Sequence, residues 1–517
     1  MRTEISATLL VGSRALAVGS LAVAAAAQPG AGLLREVDDY RLAHERAIVT
    51  QLAELTRIRS VAADPSGIAA AARRLQVLLQ ARGFQTALLR DAPGTPPLVF
   101  GSLGNPDAKR TVVFYAHYDG QPVTPAQWSS QPFLPVMRSS SPDGSPHAID
   151  WRQAKPPYDP QWRLFGRAVA DDKASIVAFL SAFDALAAAG HKPSVNIKVA
   201  WDGEEEAGSP HLAAILRANQ DRFVSDLWLI GDGPVHQSRE PTLYFGARGA
   251  VGLELTVYGP QRPLHDGHYG NWVPNPAVMA AELVSEMRDS DGRILIPGFT
   301  ADVRPVPAQD LAALARLPAV EDSLRREFDI GRSEGTEGLT ASTLRPALNV
   351  RGIRSGQVGA EAANAIPVEA TVSIDFRLVP DQTPAGVRAK VEAFLEAKGW
   401  TLVSAAPDAA ARLTHPRIVR LTWEAGYPGL RTDMSSPTAR AVMAAASEAA
   451  GGHVALLPMM GGSVPIYLFA DIFKVPVVGL PIVNHDDSQH AANENLRLQN
   501  LWDGIDTYAA MMAELSW

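Results

Sequence analysis

The chain contains no cysteine. That excludes disulfide scaffolds, cysteine-ligated zinc or iron–sulfur sites and a cysteine nucleophile, leaving His, Asp and Glu as the strong metal ligands. A basic surplus is also missing: 47 Lys and Arg stand against 55 Asp and Glu, a formal charge of −8. With no basic run and no basic–aromatic stripe, a nucleic-acid surface is not expected. No apolar run approaches the roughly 20 residues that span a bilayer. The GxSxG elbow, the HExxH helix and the P-loop are absent as well, which removes three common catalytic frames.

What is present is ordinary globular composition over 517 residues, enough for more than one domain. At the start, Arg2 and Arg14 precede the apolar stretch Ala15–Ala27, which ends in small residues. This reads as a cleavable signal peptide over 1–27 and predicts a periplasmic or secreted protein.

From about residue 110, apolar strands alternate with helices. Thr111–Asp119, Val195–Gly203 and Asp226–Asp232 read as buried strands, and Lys173–Gly190 as a helix closed by glycine. A further helix is predicted to start at Ser209–Pro210. Strands apolar throughout and separated by helices imply an α/β fold, with a mostly parallel sheet covered by helices on both faces. The middle of the chain changes period: Val251, Leu253, Leu255 and Val257 alternate with smaller or polar residues, as do Val368 to Leu378. With helices at Pro276–Met287 and Pro384–Lys398, this predicts an inserted ferredoxin-like α+β domain. The expected division is 28–248 and 409–517 for a split catalytic domain, with 249–408 as the insert. Residues 138–161 and 329–347 read as loops.

The unusual polar residues gather where such a sheet binds ligands, outside the carboxyl ends of its strands. His117 and Asp119 close the first strand, Glu204, Glu205 and Glu206 follow the second, and Asp232 ends the third. Asp171 and Asp172 open the helix between. So many carboxylates in one place repel each other unless cations lie among them. Without cysteine, an imidazole and carboxylate set suits zinc, with manganese or cobalt as substitutes, and two neighbouring ions could share one Asp. In His-x-Asp, Asp119 can accept the second N–H of a metal-bound His117.

The segments HYDGQPV, GRAVADDKA, DGEEEAGSP, HDGHYGNWVPNPA, IDFRLVPDQ and HAANEN, in that order over about 400 residues, resemble the di-zinc aminoacyl metallopeptidases. That family includes carnosinase, carboxypeptidase G, aminoacylase and succinyl-diaminopimelate desuccinylase; DSDGRILIPGF and GGSVPI are most similar to its carnosinase-like dipeptidase branch. The resemblance implies two zinc ions, one on His117, Asp171 and Asp232 and one on Asp171, Glu206 and His490, with Asp171 bridging. It implies Glu205 as general acid and base, Asp119 as the residue orienting His117, and a cis peptide at Asp171–Asp172. His265 would reach a partner's active site from the insert of a homodimer, and Arg377 would hold the substrate's carboxylate. The expected substrate is a dipeptide or small peptide, with an N-acyl amino acid as the alternative and a non-catalytic binding protein as the contrasting class. Ala168, Ala174 and Asn271 stand where the family has glycine, Asp266 where it has serine, and Met459 and Met460 where dipeptidases often carry Arg and Glu. His268 and His485 lie beside motifs, and the other histidines, His236 among them, read as surface or structural residues.

Overall fold

The computed structural model describes residues 29–139, 147–462 and 464–517. Its main sheet has eight strands, in the order Gln85–Leu89, Leu98–Leu103, Asn196–Asp202, Thr111–His117, Leu227–Ile230, Val477–Gly479, Thr242–Tyr244 and Ala455–Leu457. The four strands from Asn196–Asp202 to Val477–Gly479 are parallel. Antiparallel pairing is confined to the side carrying Leu98–Leu103 and to the junction with Thr242–Tyr244.

Side chains along Thr111–His117 show why helices lie on both faces. Val112 and Phe114 enter one apolar layer with Lys173–Ala188, Leu498–Ala513 and Pro29–Arg57; Val113 and Tyr115 enter the other, with Leu212–Ala218 and Tyr467–Phe473. Such a strand has no wet face, so it reads as a continuous apolar run. Each fully buried side chain of this size stabilises the fold by about 1.5–3 kcal/mol.

The inserted unit is a five-stranded sheet in the order Ala347–Arg354, Glu369–Leu378, Gly249–Tyr258, Ile418–Trp423, Thr401–Val403. Its first four strands are mutually antiparallel, with Pro276–Met287 and Pro384–Ala397 packed on one face. This is the expected ferredoxin-like arrangement. Asn275 and Thr383 cap the two helices, each followed by Pro at the first position. The sheet takes in Ile418–Trp423, which pairs with Gly249–Tyr258, so the insert runs on past residue 408. Two short paired segments, Gly246–Ala247 and Leu430–Arg431, carry the chain between the units. A Cβ on Gly249 would stand 2.3 Å from the Tyr427 carbonyl oxygen, so this crossing requires glycine.

Three local expectations need correction. The helix expected at Ser209 begins at Leu212, because Ser209 adopts φ 48° and its hydroxyl donates to Asp202 at 2.6 Å instead of capping. The supposed loop 138–161 contains Ala148–Ile149, paired with Val136–Arg138 in a sheet completed by Arg163–Phe165 and Asn495–Arg497. The supposed loop 329–347 holds the short helix Leu339–Ser342.

Candidate metal centre and active site

Parallel pairing brings three strand ends level: His117 lies opposite Asp202 in the neighbouring strand, and Ile230 opposite Tyr115. His117 therefore projects from one strand end beside the turn that carries Glu205 and Glu206, with Asp232 two residues beyond the third strand. Asp171 arrives from the loop before helix Lys173–Ala188, and the Asp171–Asp172 peptide is cis. His490, at φ 60°, comes from the segment before Asn495–Arg497.

These residues form two groups. Donor atoms of His117, Glu205 and Asp232 lie within 4.8 Å of one another, and so do those of Asp171, Glu206 and His490. Asp171 joins them: one oxygen is 2.9 Å from His117 Nε2 and the other 3.2 Å from His490 Nε2. Glu206 lies 3.2 Å from the same His490 nitrogen and accepts from Gln121 at 2.7 Å. Asp119, fully buried, accepts the backbone N–H groups of Glu205 and Glu206 at 3.1 Å each and lies 3.4 Å from His117 Nδ1. One carboxylate thus fixes the glutamate turn and lies beside the edge of the imidazole that faces away from Asp171.

The electrostatics fit a cation-binding site. Burial, with the charge of Asp171 nearby, pushes the Asp232 carboxyl up to about 7. Burial, with the charge of Asp232, raises Glu205 well above the usual carboxylate range. Burial opposes ionisation of Asp171, but its bonds to His117 and His490 outweigh that and hold it below the usual range. Hydrogen bonds donated by its ring to Asp171 and Glu206 lift His490 to about 10. Among the described residues, only histidines form ion pairs with Asp171 and Glu206. The donors are oxygen and imidazole, and Asp119 is set to take the far N–H of His117. That set fits divalent cations.

A cleft of about 430 Å³ opens on these groups. Asp171, Glu205, Asp232 and His490 line one end, and Leu457, Met459, Met460 and Val464 an apolar wall. Arg377 reaches it from the insert, its Nε donating to Asp375 at 2.7 Å, and Thr340 and Thr343 add a polar roof. The structure therefore gathers His117, Asp119, Asp171, Glu205, Glu206, Asp232, His490 and Arg377 in one region. It does not bring His265 there: that side chain is 57% exposed, outside the cleft lining, with its ring 4.8 Å from His268. His485 is half-buried, and burial lowers its pKa.

Several residues escaped the sequence reading. Glu494 is fully buried and ion-paired with Arg167 at 2.8 Å; it accepts the backbone N–H groups of Ala168, Ala170 and Asp171 at 2.9–3.0 Å. It thereby ties the loop bearing Asp171 to the segment bearing His490, and its place four residues after His490 was the available signal. Glu204, grouped in the sequence with the gathered carboxylates, is instead a buried anchor that accepts from the His211 backbone at 2.7 Å. Lys173 is buried, donating to the Leu55 and Ile58 carbonyls at the end of helix Pro29–Arg57. His236 lines the cleft.

Known proteins resemble this chain in sequence and in fold. The chain is 27% identical over 446 residues to the Cys-Gly metallodipeptidase dug1 of Schizosaccharomyces pombe, covering 83% of this chain and 84% of that one. It is 25% identical over 430 residues to the Beta-Ala-His dipeptidase of Rattus norvegicus, covering 82% and 80%. The solved structure of the di-peptidase Dug1p from Saccharomyces cerevisiae shares the fold, with a TM-score of 0.73 at 23% identity over 93% of this chain and 98% of that one. One expectation is overturned. Dug1 and carnosinase-like dipeptidases are mostly cytosolic enzymes, so the periplasmic or secreted location does not stand, and residues 1–27, on which it rested, lie outside the described residues. The model of Peptidase family M20/M25/M40 matches residues 113–514, from the first metal-site strand to the last helix. The chain belongs to that family, and is a metal-dependent peptide hydrolase.

Proposed function

We propose that the chain is a dipeptidase using two zinc ions, held by His117, Asp171 and Asp232 and by Asp171, Glu206 and His490. The observation that carries this reading is the Asp171 carboxylate, one oxygen on His117 and the other on His490, with Glu205 beside it. The names of the dipeptidase relatives support the substrate class. When bound, such ions lower the pKa of a water and polarise the scissile carbonyl.

The protein's own groups do the rest. Glu205 takes a proton from the attacking water, and its buried, acid-crowded setting keeps that proton until it passes to the leaving amine. Asp119 holds His117 in one tautomer. Arg377 meets the substrate's carboxylate with a planar two-pronged donor. His265 enters from the insert of a second subunit and donates to the developing oxyanion, a contribution of about 3 kcal/mol.

The test joins metal analysis to a hydrolysis panel of dipeptides, including Cys-Gly and β-Ala-His, beside N-acetyl amino acids. Turnover of the dipeptides with two zinc ions per chain is expected. Turnover of the N-acetyl compounds alone would make the protein an N-acyl amino acid deacylase, and turnover of neither would leave a binding protein. Glu205→Gln should retain metal and lose at least about a hundredfold in kcat.

A further inference from the structure

The cleft continues beyond the metal-site carboxylates to His236, four residues after Asp232. Four residues of extended chain span at most about 14 Å, so His236 and the carboxylates line one cleft within reach of the same small substrate. Backbone and ring are both held, the ring at its Nδ1 edge. The His236 backbone N–H donates to Thr242 Oγ1 at 2.8 Å, and the Ser238 backbone N–H donates to His236 Nδ1 at 3.2 Å. Ser238 Oγ accepts from the Glu240 N–H and lies 2.9 Å from the same Nδ1, placed to donate its own proton there. A ring nitrogen that accepts from a backbone N–H carries its lone pair, so the ring proton sits on Nε2. Among the described residues Nε2 has no protein partner, yet it is not a sealed orphan, because the ring lines the open cleft. The same cleft is lined by apolar Leu457 and Met459 and by polar Gln237 and Thr340.

We propose that His236 is a specificity-determining residue, whose Nε2–H donates a hydrogen bond to an oxygen on the side chain of the substrate residue farther from the metals. This rests on the dipeptidase reading and narrows it to substrates with an amide or similar acceptor at that position. A site built around a fixed donor discriminates against an isostere without the acceptor, since the donor is then left unpaired in a desolvated pocket.

Asn and Leu have nearly the same shape and differ in polarity. The test measures kcat/KM on Asn-Gly, Leu-Gly, Gly-Asn and Gly-Leu for the wild type, His236→Leu and His236→Gln. In one of the two positions His236→Leu is expected to lower the Asn-to-Leu ratio about tenfold, through KM. Metal content should stay unchanged, and the Leu peptide, no longer set against an unpaired donor, should be cleaved at least as well. His236→Gln, which keeps an N–H donor of similar reach, should restore the ratio. An unchanged ratio in both positions, or an equal loss on Asn and Leu peptides, overturns the proposal. If the wild type cleaves none of the four, the dipeptidase reading fails by itself. The same ratio is then read on N-acetyl-Asn and N-acetyl-Leu, where the tenfold loss supports the role of His236 and its absence overturns it.

Discussion

Glu494 touches no donor atom of the metal site, yet it holds the loop that presents Asp171. Four donors converge on one buried carboxylate: the Arg167 guanidinium and the N–H groups of Ala168, Ala170 and Asp171. The loop needs holding because Ala168 adopts φ 60°, a left-handed conformation that costs an alanine about 1 kcal/mol and a glycine almost nothing. The departure from glycine at this position is therefore offset by neighbouring bonds, and Asn271, at φ 61°, is one of the few residue types that tolerates the same region. Replacing Glu494 by Gln removes the charge facing Arg167 and turns one acceptor into a donor aimed at backbone N–H groups. Metal affinity should fall about 10–100-fold, as for other residues that orient a ligand from behind. Competition against a chromogenic chelator measures this, and unaltered affinity would show that the Asp171 loop keeps its geometry without Glu494.

Elements were legible where their pattern was local. The run Thr111–His117 and the alternation in Glu369–Leu378 each announce a strand and its exposure, and Asn275–Pro276 and Thr383–Pro384 announce helix starts. The His and carboxylates of the site were legible for the same reason, since strand ends in a parallel sheet share an edge. What could not be read depended on distant partners. Val136–Arg138, the partner of Ala148–Ile149, is tied through Arg163–Phe165 to Asn495–Arg497 at the far end of the chain, and Glu494 meets Ala168 from 326 positions away. Helix Leu498–Ala513 hides another such case: Asp506 lies near Asp38, Arg41 and Asp503, where burial and the two carboxylates outweigh the arginine and push it up to about 8. It stays protonated in the fold below that pH, while in the unfolded chain it ionises above 3.8. Between these values the folded state binds more protons, so stability falls as pH rises from about 4 to 8 and stays lowered above that. Asp506→Asn should remove this part of the decline, raising Tm above pH 8 by roughly 2 °C for each kcal/mol recovered and leaving it unchanged near pH 4. Thermal melts of the two proteins across that range check the sign; an equal decline in both would place Asp506 outside the pH response.

At the scale of the whole molecule, two well-packed units meet through few covalent crossings. The insert has its own apolar core, from Leu253 and Phe376 to Val391, and is joined to the main sheet by the paired segments Gly246–Ala247 and Leu430–Arg431. Arg377 is carried to the cleft from this unit, so a movement of the insert moves part of the cleft lining. His265 rides on the same unit, exposed and away from its own cleft, beside Tyr269 and the largely exposed Trp272. The proposed mechanism asks for an oxyanion donor that one subunit does not bring to its own site, and a symmetric dimer would supply it reciprocally. His265→Ala and Glu205→Gln should each be inactive alone. In a mixed dimer, the His265→Ala chain keeps its Glu205 and receives His265 from its partner, while the other site lacks its base. Random mixing, with half the dimers mixed and one working site in each, should restore about a quarter of wild-type activity. The measurement is turnover after the two variants are co-refolded or co-expressed. Recovery near a quarter places His265 across the subunit boundary, whereas no recovery from an equally well-folded mixture requires His265 to act within its own chain or not at all.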